Sequence, residues 1–272
     1  MIVIEYLGAL VKKYDMRDYK LATTSTETDL PEEFKLEYLP EIKNQGPVNS
    51  CVAHVSASIE EYFEKKQCNA DKKLSVGFIY GTRYNYTGEG MYLRDALKTL
   101  SDKGICTYER FPYNREVPEI FDLIEEANIS EKDTSHCRIT EYFRLYSNDE
   151  IKKSLMKYGP VMMSVAWYKD NKVSDGKLIQ GTNLSGYHCL YLYGWNKDGF
   201  LFMNSWGKDW ANKGTCVLPY SYKIVEAYGI RDENISPDNE DIIYPKRNKF
   251  LDVCYKIINS IVNFLARLVS NK

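Results

Sequence analysis

The sequence is short of histidine. It has three, His54, His136 and His188, so any chemistry that needs an imidazole must draw on one of them. It has no pair of cysteines at C-x-x-C spacing, which removes the usual structural zinc arrangement. No metal and no organic cofactor is expected. It has little excess charge of either sign: 36 Lys and Arg face 38 Asp and Glu, a formal net charge of −2. Nothing there points to nucleic acid as a partner. It also lacks the roughly 18 uninterrupted apolar residues of a membrane-spanning helix. The apolar start "MIVIEYLGALVKKYD" has no basic leader, is interrupted by Glu5, and is followed by no small-residue cleavage site. It reads as a strand or docked arm, not a secretory signal. The seven cysteines are an odd number spread along the chain, so at least one thiol stays free or pairs with another molecule. A cytoplasmic protein is expected, or one released without a classical signal peptide.

What is present is a chain of 272 residues, 44% hydrophobic and 27% charged, long enough for one large domain or two lobes. Residues 1–30 are expected to form a short, propeptide-like N-terminal extension, with the polar run "TTSTETD" near its end. A helix is expected from about Ser50, with Val52, Val55, Ile59, Tyr62 and Phe63 at helical spacing. Gly46 and Pro47 disfavour helix before it, and Ser50 is a candidate cap. "MYLRDALKTLSDKG" and "NDEIKKSLMKYG" give two more helices; Asn148 or Asp149 is expected to cap the second and Gly159 to end it. Beyond Gly159 the period shortens to that of strands: "PVMMSVAWY", "HCLYLYGW", "FLFMN" and "GTCVLPY", with "NKDG" as a hairpin turn. Helices first and antiparallel strands second define an α+β fold in two lobes over residues 31–231. Residues 232–272 are a charged linker and a basic amphipathic helix. That helix is expected to serve self-association, partner docking or contact with a membrane surface, or to pack back on its own domain.

The stretch "NQGPVNSC" carries the chemistry. Cys51 falls at the N-terminus of the first helix, where the dipole and unpaired N–H groups favour a thiolate. A cysteine nucleophile also needs a base and donors for the oxyanion formed on a substrate carbonyl. His54 lies one turn along the same helix, which orients it poorly as that base. His136 sits in the polar loop "EKDTSHCR". His188 opens the strand "GYHCLYLYGW", from which its ring can reach a cleft. Asn204 ends the next strand in "FMNSWGKDW" and can fix the imidazole tautomer, with Trp206 placed to shield that bond from water.

Together "NQGPVNSCVAHVSA", "GYHCLYLYGW" and "NSWGKDW" resemble the papain family of cysteine peptidases, in particular its bacterial and phage-type members with a short N-terminal extension. His188 follows Cys51 within the roughly 130–150 residues usual for that family. The resemblance covers about residues 30–231. It implies a helical lobe carrying the Cys helix and an antiparallel, β-barrel-like lobe carrying His and Asn. It implies Cys51 as nucleophile, His188 as acid and base, Asn204 as its orienting partner, and Gln45 with the Cys51 N–H as oxyanion donors. It places Gly90 and Gly88 where a substrate peptide would run, and it implies a protein or peptide substrate cleaved internally. The chain departs from the family at Val48, Asn49, Val52, His54 and Ala211, where a disulfide cysteine, a glycine, a tryptophan, another aromatic and a glycine are usual. A non-catalytic peptide-binding or partner-binding module, or an acyl transferase or isopeptidase using the same Cys–His pair, are the alternatives.

Overall fold

The computed structural model describes residues 6–11, 20–21, 29–85, 88–113, 129–134, 137–232 and 242–243. His136 and the proposed C-terminal helix lie outside the described residues.

In chain order the elements are β1 (Ala9–Leu10), β2 (Lys20–Leu21), β3 (Phe34–Lys35), α1 (Cys51–Cys68), α2 (Val76–Gly81), β4 (Met91–Tyr92), α3 (Leu93–Asp102) and α4 (Glu131–Thr134). There follow β5 (Glu141–Leu145), α5 (Asn148–Lys157), β6 (Val161–Tyr168), β7 (Lys172–Ser174), β8 (Lys177–Ile179), β9 (Leu184–Asn196), β10 (Gly199–Met203), β11 (Thr215–Pro219), β12 (Ile224–Arg231) and β13 (Ile242–Ile243). The architecture is α+β, and among the described residues four of the five helices precede the main strands. Strands run in the order β13-β2-β5-β12-β6-β9-β10-β11-β8-β7, with β3 added against β9. Most pairings are antiparallel, but β8 joins β11 and β2 joins β5 in parallel, so the sheet is mixed.

The alternation along β6 and β9 splits the interior into two cores. Met162, Cys189 and Tyr191 face α1 and its neighbours Val52, Val55, Ile59 and Phe63. Val161, Met163, Val165, Leu190 and Leu192 face the other way, onto Phe200, Phe202 and Leu155 of α5. The helix α1 is buried from Cys51 to Glu64, so it is enclosed and not merely laid on a surface. Even its carboxylates are inside: Glu61 is held by Lys43 and by the Leu74 N–H at 3.0 Å. Burial raises the Glu60 carboxyl well above its usual range.

The caps differ from the sequence expectation in two places, the first being Ser50, which stands at the N-cap of α1 without a capping bond. In the run Ser147-Asn148-Asp149 it is Ser147, in extended conformation, that accepts from the Glu150 N–H and caps α5. Three neighbouring residues can each cap a helix, and only the backbone conformation selects among them. Gly104 (φ +80) and Gly159 (φ +126) end α3 and α5 as expected. The "NKDG" turn is present: Asn196 Oδ1 accepts from the N–H groups of Asp198 and Gly199, between β9 and β10.

Ala211, where the family resemblance puts glycine, has φ +46. An L-residue there crowds its Cβ against the backbone and costs about 1–2 kcal/mol, part of which a glycine returns in unfolded-state entropy. Ala211→Gly should therefore stabilise the chain by about 0.5–1 kcal/mol, read as a higher denaturant midpoint at constant m-value.

Candidate functional site

The loop before α1 turns sharply at Gly46 (φ +58) and delivers two groups to one place. Gln45 stands at its start, and Cys51 is the first residue of α1, both buried. Ser50 occupies the N-cap position but makes no side-chain capping bond. Its hydroxyl faces the Tyr113 hydroxyl at 2.9 Å instead.

Gln45 is tied down at both ends of its amide. Its Oε1 accepts from Ser205 Oγ at 2.6 Å, which fixes the flip and leaves the amide N–H groups to donate. Its Nε2 donates to Val48 O at 2.8 Å and approaches the carbonyls of Tyr6 at 3.1 Å and Leu7 at 3.2 Å. Ser205 is a site residue that sequence reasoning passed over. It lies beside Asn204, and that adjacency in "NSW" was the available signal.

On the facing strand, His188 Nε2 meets Asn204 Oδ1 at 2.7 Å. An amide oxygen only accepts, so the imidazole carries its proton on Nε2 and presents Nδ1 as a base. His188 Nδ1 is buried and has no hydrogen-bond partner. The Trp206 ring stacks on His188, 4.6 Å between centroids at 26°, and the Trp167 ring meets it edge-on at 5.1 Å. The indoles keep water from the His188–Asn204 pair. Burial lowers His188 to about 4, against the raising effect of the Asn204 bond. Burial likewise pushes Cys51 up to about 12, although backbone N–H groups of Cys189, Val52, Cys51 and Ala9 act to lower it. Burial thus disfavours the charged form of both groups.

The desolvation has a visible cause: the segment Tyr6–Leu10 lies across the site. The Met91 N–H donates to Gly8 O at 2.8 Å, and β1 pairs with β4 in parallel, Ala9 opposite Met91. Trp206 Nε1 donates to Tyr6 O at 3.1 Å. The approach is close enough that only glycine fits on either side. A Cβ on Gly90 (φ +75) would lie 2.7 Å from Gly8 O, and one on Gly8 would lie 2.1 Å from Asn49 O. Gly90 thus sits where the backbone of the arm passes. Gly88 does not touch the arm; its carbonyl accepts from Arg83 Nε at 2.7 Å and it shapes the turn before Gly90.

His54 is not brought to the nucleophile as a base. It lies buried on α1 itself, with Nδ1 3.0 Å from Ser50 O, and burial lowers it to about 3. All six described cysteines are free thiols. Among the described residues no group of three or more His, Cys, Asp or Glu side chains could hold a metal ion.

A cysteine at a helix N-terminus, an Asn-oriented histidine and a side-chain amide beside them, on a two-core α+β scaffold, define the cysteine peptidase class. The family profile described as "Papain family cysteine protease" matches residues 25–237. The chain belongs to the papain family of cysteine proteases, and is a hydrolase of the peptidase type. A peptidase C1-like protein of Acanthamoeba polyphaga mimivirus is 26% identical over 221 residues, covering 72% of this chain and 67% of that protein. Chymomexicain of Jacaratia mexicana is 26% identical over 181 residues, covering 64% of this chain and 80% of that protein. Among solved structures, xylellain, a cysteine protease from Xylella fastidiosa, has the same fold, with a TM-score of 0.71 at 23% identity. The match covers 84% of this chain and 96% of that one.

Proposed function

We propose that this chain hydrolyses internal peptide bonds of protein or peptide substrates through Cys51 and His188. The observation that carries the reading is the carbonyl of Tyr6: a peptide oxygen lies on Gln45 Nε2, beside the N-terminus of the Cys51 helix. A substrate carbonyl held there, with its carbon above the Cys51 sulfur, would develop its negative charge between the Gln45 amide and the Cys51 N–H. In the working state the thiol proton passes to His188 Nδ1, the atom without a partner here, and the thiolate attacks. The imidazolium then returns the proton to the leaving amine. Water, deprotonated by the same Nδ1, releases the acyl group from sulfur. Asn204 keeps Nε2–H engaged throughout, so the base is always Nδ1.

The arm Tyr6–Leu10 is the chain's own plug in this reading. It occupies the peptide path, and burial beneath it raises Cys51 and lowers His188, which disfavours the thiolate–imidazolium pair while the arm is in place. Catalysis thus requires the arm to lift, which readmits water and lets the thiolate–imidazolium pair form.

Treatment of the protein with an epoxide-type cysteine-peptidase reagent near neutral pH, followed by peptide mapping, tests the assignment. A single adduct at Cys51, blocked by prior incubation with a cleaved peptide substrate, is the expected result. An unlabelled Cys51 alongside labelled Cys68, an exposed thiol, would count against the nucleophile role.

A further inference from the structure

Gln45 and Cys51, the two proposed oxyanion donors, are anchored to different parts of the molecule. The Gln45 N–H donates to Ser205 O at 2.8 Å, and its Oε1 accepts from Ser205 Oγ, so it is fixed to the strand side beside Asn204. Cys51 belongs to α1 and is buried in the helical core. An oxyanion hole works only if its donors keep a set spacing, because their stabilisation depends on geometry fixed before the reaction. Within the loop Val48 O accepts from both Gln45 Nε2 and the Ser50 N–H, at 2.8 Å each, and a second tie crosses outside it.

Tyr113 stands between them. Its hydroxyl donates to Gln45 O at 2.6 Å. With that proton committed, its oxygen can accept from Ser50 Oγ at 2.9 Å. Ser50 immediately precedes Cys51. Behind it, His54 Nδ1 lies 3.0 Å from Ser50 O, an atom that can only accept, so the ring donates there. The same N–H faces Ser50 Oγ at 3.3 Å. The His54 ring also meets the Tyr113 ring edge-on, 4.8 Å between centroids. Every proton has a direction: His54 to Ser50, Ser50 to Tyr113, Tyr113 to Gln45. The run starts on the nucleophile's helix and ends on the backbone of the amide donor. A phenyl ring at position 54 could not start it, so His54, a departure from the family pattern, belongs to this bridge.

We propose that Tyr113 is a positioning residue, tying Gln45 to the Cys51 helix through Ser50 and so setting the spacing of the oxyanion donors. This rests on the peptidase reading above. Its effect is on steps that form an oxyanion and not on the reactivity of the sulfur itself.

That distinction supplies the test. Hydrolysis of a peptide substrate and binding of a peptide aldehyde both place a negative oxygen between the donors. Alkylation of Cys51 by iodoacetamide displaces iodide at a saturated carbon and forms none. All three need the arm to lift, so their ratios on the full chain cancel its occupancy. For Tyr113→Phe, kcat/KM should fall about tenfold, a fraction of the 10²–10³ lost when a donor is removed outright. The loss should appear in kcat with KM little changed, the aldehyde should bind about tenfold more weakly, and the alkylation rate should stay within about twofold. His54→Phe, which leaves the Tyr113–Gln45 bond intact, should show the same pattern at smaller size. A parallel fall in alkylation and hydrolysis, or no change in either, would overturn the proposal. A wild-type chain that alkylates at Cys51 yet cleaves no peptide would instead overturn the peptidase reading on which it stands.

Discussion

Replacing Cys51 by alanine should abolish peptide hydrolysis, while Asn204→Ala should leave a measurable remainder. The two side chains act at different points. Without the sulfur there is no acyl-enzyme, and the rate falls to whatever the donors and binding supply to water alone, a loss of about 10⁴ or more. Without the Asn204 amide the histidine remains, but neither its tautomer nor its ring angle is fixed. The His188 ring still has Trp206 stacked at 4.6 Å and Trp167 at its edge, so much of its orientation survives. A loss of about 10–10² is expected, mostly in kcat. The pH profile separates the roles further. Asn204 raises the His188 pKa against burial, so removing it lowers that pKa and shifts the proton balance away from imidazolium. The alkaline limb of activity, where the imidazolium is lost, should therefore move to lower pH in Asn204→Ala. Steady-state kinetics across pH on purified variants, with folding checked by circular dichroism, reads both effects. Equal losses in the two variants would show that Asn204 does more than orient.

The candidate site residues were legible because the chemistry proposed for them confines them. A helix N-terminus favours a thiolate, and His188 lies on a strand within reach of Asn204. Its spacing from Cys51 and the following "NSW" turn left few arrangements open. The α+β division was legible for a similar reason, the change from helical to alternating period after Gly159. Less visible was what depends on meetings between distant segments. Nothing in "FPY" announces that Tyr113 reaches Gln45 O, because a loop tyrosine has many possible partners and only the fold selects one. The strand β12 was passed over because "IVEAYGIR" carries Glu226 and Arg231 within an otherwise apolar run. Both are buried, with Glu226 beside Arg144 at 3.7 Å and Arg231 paired to Glu141 at 2.7 Å. Pairing across strands makes the charges tolerable, and pairing is invisible in one strand read alone. His54 read as poorly oriented for a base, and it is packed within α1. That it feeds a donor run to Gln45 emerges only once Ser50 and Tyr113 are placed.

The second large effect belongs to the arm. Deleting residues 1–11 should raise the rate of peptide hydrolysis and of Cys51 labelling together, by at least about tenfold. The argument is one of populations. A tethered segment that fills the site reduces apparent activity by the fraction of time the site is open, and one open molecule in about a hundred would give a hundredfold gain on removal. The contacts are of the kind that can hold such a ratio: the Met91–Gly8 bond at 2.8 Å and the donations from Trp206 and Gln45 to Tyr6 O, at 3.1 Å each. They are mostly backbone contacts, so side-chain substitutions along the arm should matter little, with one exception. Gly8 has φ +139 and a Cβ there would collide with Asn49 O at 2.1 Å. Gly8→Val should thus imitate the deletion in an otherwise full chain, at lower amplitude. The deletion should also alter the thiol itself. Burial is the largest cause holding Cys51 near 12, and with water readmitted the helix N-terminus and His188 can lower it. The rate of Cys51 alkylation against pH should then show a reactive thiolate well below pH 9 in the deletion, and the full chain should lag it throughout. If both chains hydrolyse and alkylate at the same rates, the arm is a surface strand that leaves the site open in solution, and the plug reading is wrong.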